Sequence, residues 1–302
     1  MVEFPLGAAQ TDLVDRSLRD LGWHGPARVV TRLAGGGSGS QVFLLDLDGE
    51  PAVLKATEDP AWYDRATHEV AVYRQFGAAL REFLPVVRAA HCDPRAVRLL
   101  LAAHELYPPA PALTDAAWVG LADRLGRLHR VPLPRPAWLQ PRPWPTPGEV
   151  ADAVRGWAGR GLADLASRAA GQLDTAAGVL AGVGTVLTHG DCHVGNLLRG
   201  PNGRPVWIDW QEVCLGSGLG DLVFLWQRAE FAGAHPPRAA MTAAYAQARG
   251  PSWDGDLHAA LAASELRLLL LDWPPFFAYG SADRQQVMTR RLQQLVDGAS
   301  SL

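Results

Sequence analysis

The chain has 302 residues, 48% of them hydrophobic, and a net charge of -3 at neutral pH. That length fits one large domain or two moderate ones with a buried core, and the lack of a basic excess argues against a nucleic-acid binder. No apolar run approaches the ~20 residues that a bilayer span needs, and the N-terminus has no basic region ahead of a long apolar one, so a cytoplasmic protein is expected.

Residues 11–22 predict a short amphipathic helix, with Leu13, Val14, Leu18 and Leu21 on one face, Thr11 or Asp12 as its cap and Gly22 as its stop. Three strands follow, at Ala27–Leu33, Gln41–Leu47 and 51–56, and the pair Asp48-Gly49 predicts a hairpin between the last two. The turn Gly35, Gly36, Gly37, Ser38 and Gly39 joins the first two strands. Residues 61–82 carry Val70, Tyr73, Phe76 and Leu80 at helical spacing, and two more strands are expected at 86–91 and 96–101. Composition then shifts near 102–107, which places a hinge between a β-rich lobe, residues 1–103, and an α-rich lobe, residues 104–302.

In the second lobe, 114–130 reads as a helix with Leu121, Leu125 and Leu128 inward. Residues 132–147 are proline-rich and must be irregular. Helical patterns resume at 149–159 and 162–182, short strands are expected at 185–188 and 206–208, and residues 221–297 read as four or five helices. Cys92, Cys192 and Cys214 form neither a CxxC pair nor a metal-ligand spacing and are expected to be reduced thiols.

Of the 28 basic residues, all but Lys55 are arginine. A chain rich in Arg keeps a lysine where a compact ammonium fits and a planar guanidinium does not. Lys55 lies among apolar residues near the end of a strand, where a half-buried ammonium needs anionic partners. Nucleotide phosphates would serve, with Glu69 of the following helix as its ion-pair partner; Glu58 and Asp64 compete for that place. The glycine-rich turn before it lies between two strands, which excludes a dinucleotide fingerprint and a Walker A loop but lets backbone amides approach phosphates.

The most informative stretch is His189-Gly190-Asp191-Cys192-His193-Val194-Gly195-Asn196, followed by Asp209. Asp191 follows a strand in a tight glycine-containing loop, which can present its carboxylate at a cleft. Asn196 offers a neutral oxygen and Asp209 a charged one, a set that suits Mg2+. The histidines invite a zinc reading, but no cysteine pair or HExxH pattern supports it. His189 is expected to hold the loop backbone instead.

This stretch, with Val206-Trp207-Ile208-Asp209-Trp210, resembles the catalytic and metal motifs of the aminoglycoside phosphotransferase and choline kinase superfamily. The resemblance extends to Lys55, Glu69, the helix end Leu125-Gly126-Arg127-Leu128-His129-Arg130 and Gly220-Asp221-Leu222. It implies an α+β, protein-kinase-like two-lobe fold: a small antiparallel β-rich N-terminal lobe with one helix, and a larger, mainly helical C-terminal lobe. It also implies ATP as co-substrate and Mg2+ as cofactor. In that reading Asp191 orients the acceptor hydroxyl or takes its proton, Asn196 and Asp209 bind the metal, Lys55 contacts phosphates and Glu69 fixes it. The backbone of Ala103, His104, Glu105 and Leu106 meets the adenine, and Asp221 braces the catalytic loop. In place of the arginine that some antibiotic kinases carry shortly after the metal aspartate, Gln211-Glu212 follow Trp210 here.

The expected acceptor is a small-molecule hydroxyl: an aminoglycoside or other antibiotic, an amino alcohol, a sugar or an amino acid. Alternatives are a Ser/Thr protein kinase of the same fold and a nucleotide-binding pseudokinase, although no expected catalytic group is missing. The substrate is expected between Asp191 and the helices after Asp221. Glu212, Glu230, Asp254, Asp256, Glu265 and Asp272 share that region with Arg228, Arg238, Arg267, Arg284, Arg290 and Arg291, so the local sign is mixed.

Overall fold

The structure is a computed structural model that describes residues 7–33, 39–200, 203–250 and 256–298. In chain order its first elements are α1 (Ala8–Asp20), β1 (Ala27–Leu33), β2 (Gln41–Leu47), β3 (Glu50–Thr57), α2 (Tyr63–Phe76), β4 (Val87–Asp93), β5 (Ala96–Ala102) and β6 (Glu105–Leu106). Next come α3 (Asp115–Arg130), α4 (Pro147–Ala158), α5 (Ala163–Ala170), α6 (Leu173–Ala181), β7 (Val186–Thr188), β8 (Leu197–Arg199), β9 (Pro205–Trp207) and β10 (Cys214–Gly216). Four helices close the chain: α7 (Leu219–Phe231), α8 (Arg238–Arg249), α9 (Leu257–Leu271) and α10 (Ala282–Gly298). Contacts divide the chain into two units, Met1–Tyr107 with Leu197–Val213, and Pro108–Asn196 with Cys214–Leu302.

The first unit is built on an antiparallel sheet of order β1-β2-β3-β5-β4. Side chains alternate across a strand. Phe43, Leu45 and Leu47 of β2 and Ala52, Leu54 and Ala56 of β3 are therefore buried together against Leu13, Val14 and Leu18 of α1. Each of the leucines in that cluster contributes roughly 2 kcal/mol by leaving water. The β2–β3 hairpin turns on Asp48-Gly49, both with positive φ (55 and 86°), as a two-residue turn matched to strand twist requires. A second, three-stranded sheet of order β6-β8-β9 leads into Asp209, and Trp207 donates its backbone N–H to the Phe83 carbonyl at 2.8 Å.

The second unit is mainly helical, with the β7–β10 pair as its small antiparallel element. One of its core clusters gathers Trp157, Leu269, Leu270, Trp273, Phe277, Met288 and Leu292, all fully buried or nearly so. The two indoles find acceptors: Trp157 Nε1 donates to the Leu270 carbonyl at 3.1 Å and Trp273 Nε1 to Gln227 Oε1 at 2.6 Å. No helix among the described residues is long and apolar enough to cross a membrane.

Three boundaries differ from expectation for local reasons. Helix α1 starts at Ala8, because Gly7 is its N-cap and Gln10 accepts the Gly7 N–H at 3.2 Å; Thr11 lies inside the helix. The helix expected through residue 82 stops at Phe76, where Gly77, a poor helix former, is the C-cap. The helix expected over 162–182 is two helices broken at Gly171-Gln172.

Candidate active site

Leu54 and Ala56 face α1, so Lys55 between them lies on the other face of the sheet, where α2 supplies Glu69. Lys55 Nζ donates to Glu69 Oε2 at 2.6 Å and to Asp209 Oδ1 at 2.7 Å. The competing partner Glu58 is taken instead by Arg98. Burial alone would pull the Lys55 ammonium down; the charges of Glu69 and Asp209 outweigh it and hold the group above its ordinary value. Burial pushes the Glu69 carboxyl up, against the opposing pull of Lys55. The side chains of Lys55 and Glu69 are 12% and 3% exposed, so solvent weakens this pair little.

Asp209 is held in the left-handed region, φ 65° and ψ 57°, a conformation that a non-glycine residue keeps only where its surroundings fix it. Its Oδ1 accepts a hydrogen bond from Lys55, while Oδ2 makes no hydrogen bond to a described residue. Glu212, three residues on, is engaged by Arg65 at 2.7 Å.

Of the glycine turn, Gly35, Gly36, Gly37 and Ser38 lie outside the described residues. Gly39 has φ +64°, and the Trp62 indole fills the space that a Cβ there would need. Trp62 in turn carries the Arg65 guanidinium 5.0 Å from its ring centre. At the expected hinge, the Ala103 N–H donates to the Pro51 carbonyl at 3.3 Å. Glu105 and Leu106 pair with Arg199 and Leu198 of β8. Leu106 is 76% exposed, a large apolar side chain left in water, and the buried Nε2 of His104 has no hydrogen-bond partner. Burial lowers the His104 pKa.

In the second unit, β7 delivers His189-Gly190-Asp191. The Asn196 amide nitrogen donates to the Asp191 carbonyl at 2.9 Å and to Asp191 Oδ2 at 2.8 Å. With its nitrogen so committed, Asn196 has its carbonyl oxygen to spare. His193 Nδ1 accepts the Gly195 N–H at 3.0 Å, which leaves the proton of the neutral ring on Nε2, 3.5 Å from Asp191 Oδ2. Burial pushes the Asp191 carboxyl up, but His193, His189 and Asn196 together outweigh it and bring it below its ordinary value. His189 holds the loop backbone as expected: its Nδ1 accepts the Asp191 N–H at 3.3 Å.

Behind the loop stands a hydrogen-bond chain. Asp221 accepts the backbone N–H of His189 at 2.6 Å and of Gly190 at 2.9 Å. His129 Nε2 lies 3.2 Å from Asp221 Oδ2, its Nδ1 lies 2.9 Å from the Tyr245 hydroxyl, and Arg249 donates to that hydroxyl at 2.7 Å. Burial lowers His129 despite Asp221. The neutral ring then donates to Asp221 and accepts from Tyr245, which accepts from Arg249, so every proton in the chain has one direction. Burial pushes Asp221 up as well, but the His129 hydrogen bond and the other donors win and lower it. Gly218, with φ +79°, closes the cluster: a Cβ there would lie 2.6–2.7 Å from Arg249, His129 and Tyr245. Tyr245 and Arg249 carried no sequence signal; Tyr245 lies 116 residues from His129, and Arg249 four residues further along α8.

The family model described as the phosphotransferase enzyme family matches residues 29–263. No curated protein sequence matches the chain. Among solved structures, a spectinomycin phosphotransferase in complex with ADP and spectinomycin aligns with a TM-score of 0.64 and 13% identity, over 97% of this chain and 98% of that one. The choline kinase LicA from Streptococcus pneumoniae aligns with a TM-score of 0.63 and 13% identity, over 98% and 100%. An aminoglycoside phosphotransferase from Alicyclobacillus acidocaldarius aligns with a TM-score of 0.61 and 13% identity, over 99% and 97%. At such identity these likenesses show the fold, which is α+β and protein-kinase-like.

Proposed function

The chain belongs to the phosphotransferase enzyme family, and on that premise we propose that it moves the γ-phosphoryl group of ATP, with Mg2+, to a hydroxyl of a small molecule. The observation that carries this reading is Lys55, whose ammonium is gripped by Glu69 and Asp209, side chains 14 and 154 residues away in sequence. Such a lysine is fixed in place to meet phosphates, and the carboxylate that shares it keeps one oxygen for a metal. The ADP-bound spectinomycin phosphotransferase supports nucleotide use by the same fold.

Asp191 accepts the proton of the attacking hydroxyl as that oxygen bonds to the γ-phosphorus and the bond to the β–γ bridging oxygen breaks, releasing ADP. Its depressed pKa keeps it ionised at neutral pH, and Asn196 and His193 hold it in place. The spare oxygens of Asn196 and Asp209 are hard donors suited to Mg2+, and these two residues would hold it. When bound, the ion neutralises charge on the phosphates. The backbone of Ala103, His104, Glu105 and Leu106 would meet the nucleobase and Gly35, Gly36, Gly37, Ser38 and Gly39 the phosphates. The buried, unbonded His104 Nε2 marks the hinge as a place where a polar group awaits a partner.

The test is ADP release from ATP and Mg2+ across a panel of hydroxyl compounds, with the product identified by phosphorus NMR. Transfer should vanish with EDTA. It should fall at least ~100-fold in kcat in Asp191→Asn while nucleotide binding persists. Full turnover in Asp191→Asn would falsify the mechanism.

A further inference from the structure

The charged groups around α7 and α9 fall into two sets. In the first, Arg238 donates to Glu230 at 2.6 Å and to Glu265 at 2.7 Å, and Arg291 binds the other oxygen of Glu265. Two carboxylates that a polycationic acceptor could have used are thus neutralised internally by two guanidiniums.

The second set is Arg228 and Arg267, with Arg142 between Asp272 and the loop of Asp191; Arg267 stacks 5.8 Å from the Trp144 ring centre. Arg142 donates to the Gly190 carbonyl at 3.4 Å, one residue before Asp191. Arg142 and Arg267 reach the same carboxylate oxygen of Asp272 at 3.8 and 3.7 Å, beyond hydrogen-bond length. Glu149 is held instead by the N–H and hydroxyl of Thr146 at 2.7 and 2.8 Å. Arg228 makes no hydrogen bond or ion pair with any described residue. Its guanidinium lies 4.9 Å from the Phe276 ring centre and 5.8 Å from that of Phe224, whose ring is 6.2 Å from His193, the residue beside Asp191 Oδ2. A guanidinium stacked on rings keeps its in-plane N–H donors, and a partly buried one left without an anion is costly. Burial pulls both Arg228 and Arg267 down, and the charges that oppose it come first from Asp191 and Asp272 respectively.

We propose that the acceptor carries an oxyanionic group, a carboxylate or a phosphate, bound by Arg228 and Arg267, so that the enzyme selects anionic hydroxyl compounds over aminoglycosides and amino alcohols. The proposal rests on the phosphotransferase reading and adds the substrate class to it. Planar guanidiniums bind either oxyanion in a bidentate fork, whereas a cationic acceptor would be repelled by the Arg228 guanidinium and could not satisfy its donors.

The test uses matched pairs on the full chain with ATP and Mg2+: glycerate or glycerol 3-phosphate against glycerol, and gluconate or glucose 6-phosphate against glucose, with kanamycin and choline as cationic arms. ADP release gives kcat and KM, and calorimetry gives binding. An oxyanionic member should exceed its neutral partner in kcat/KM by at least ~10-fold, the two oxyanion arms telling carboxylate from phosphate. Arg228→Gln should raise its KM by roughly 10- to 100-fold with a much smaller change in kcat. Arg228→Lys should recover part of that loss. Equal or better turnover of kanamycin, choline or the neutral partners overturns the proposal. So does failure of every oxyanion to bind the wild-type protein by calorimetry, a measurement that needs no variant to fold. In either case ADP release with another acceptor leaves the kinase reading standing; a wild-type chain that binds no Mg–nucleotide sinks that reading itself.

Discussion

Replacing Asp221 by Asn tests whether the loop of Asp191 is held from behind. Asp221 receives three donors: two backbone N–H groups, from His189 and Gly190, and His129 Nε2. An asparagine oxygen in the place of Oδ2 can still accept from His189 and His129. Its amide then meets the Gly190 N–H donor to donor. Leaving that backbone N–H unsatisfied costs about 1–3 kcal/mol, and the two surviving bonds each lose about 1 kcal/mol of charge assistance. Relief of the buried charge offsets part of this, for a net loss of about 3 kcal/mol. For a chain of this size that lowers Tm by roughly 5–10 °C. Because the lost bond anchors the residue before Asp191, kcat should also fall while nucleotide affinity changes little. Differential scanning calorimetry and the coupled ADP-release assay measure the two effects. A variant that matches the wild type in both Tm and kcat refutes the bracing argument.

Lys55→Met should weaken Mg–ATP binding by about 10-fold or more, measured by calorimetry, because two carboxylates at 2.6 and 2.7 Å are left facing phosphates without their cation. His129 titrates near 6.5 when unfolded and lower when folded, so below that pH the unfolded chain binds the extra proton and stability must fall with acid. The urea midpoint should therefore drop between pH 7 and pH 5, and less so in His129→Gln; identical slopes would count against the neutral, donating imidazole. Gly218→Ala should lower stability by about 3 kcal/mol, from strain at positive φ and from pushing apart Arg249, His129 and Tyr245, as a calorimetric Tm would report.

What the sequence made legible is what short-range pattern encodes. Strand-like runs between turn signals located β1 and β2 to the residue, the Asp-Gly pair located the β2–β3 hairpin, and a lone lysine among arginines marked Lys55. Helical register then placed Glu69 on the face of α2 that meets it. The helix ends were less legible, because Gly77 and Gly171 act through propensity that tertiary packing can override. The resemblance implied the bracing role of Asp221, but the support behind it from Tyr245 and Arg249 was not legible, since a hydrogen bond from His129 across 116 residues leaves no local spacing.

The sign of the acceptor site failed to show for the same physical reason. In sequence, Glu230, Glu265 and Asp272 stand among arginines in near balance. Charge balance along a chain says nothing about which charges cancel, because pairing is decided by packing: Glu265 is 1% exposed and accepts from both Arg238 and Arg291. Once those pairs form, Arg228 is left near Asp191 with no hydrogen bond or ion pair to a described residue. An arginine that packing leaves beside aromatic rings and without a carboxylate is destabilising to the free protein. Its retention there follows if the missing anion arrives with the substrate, in which case the binding free energy includes relief of that unpaired charge and selects against acceptors that cannot supply it.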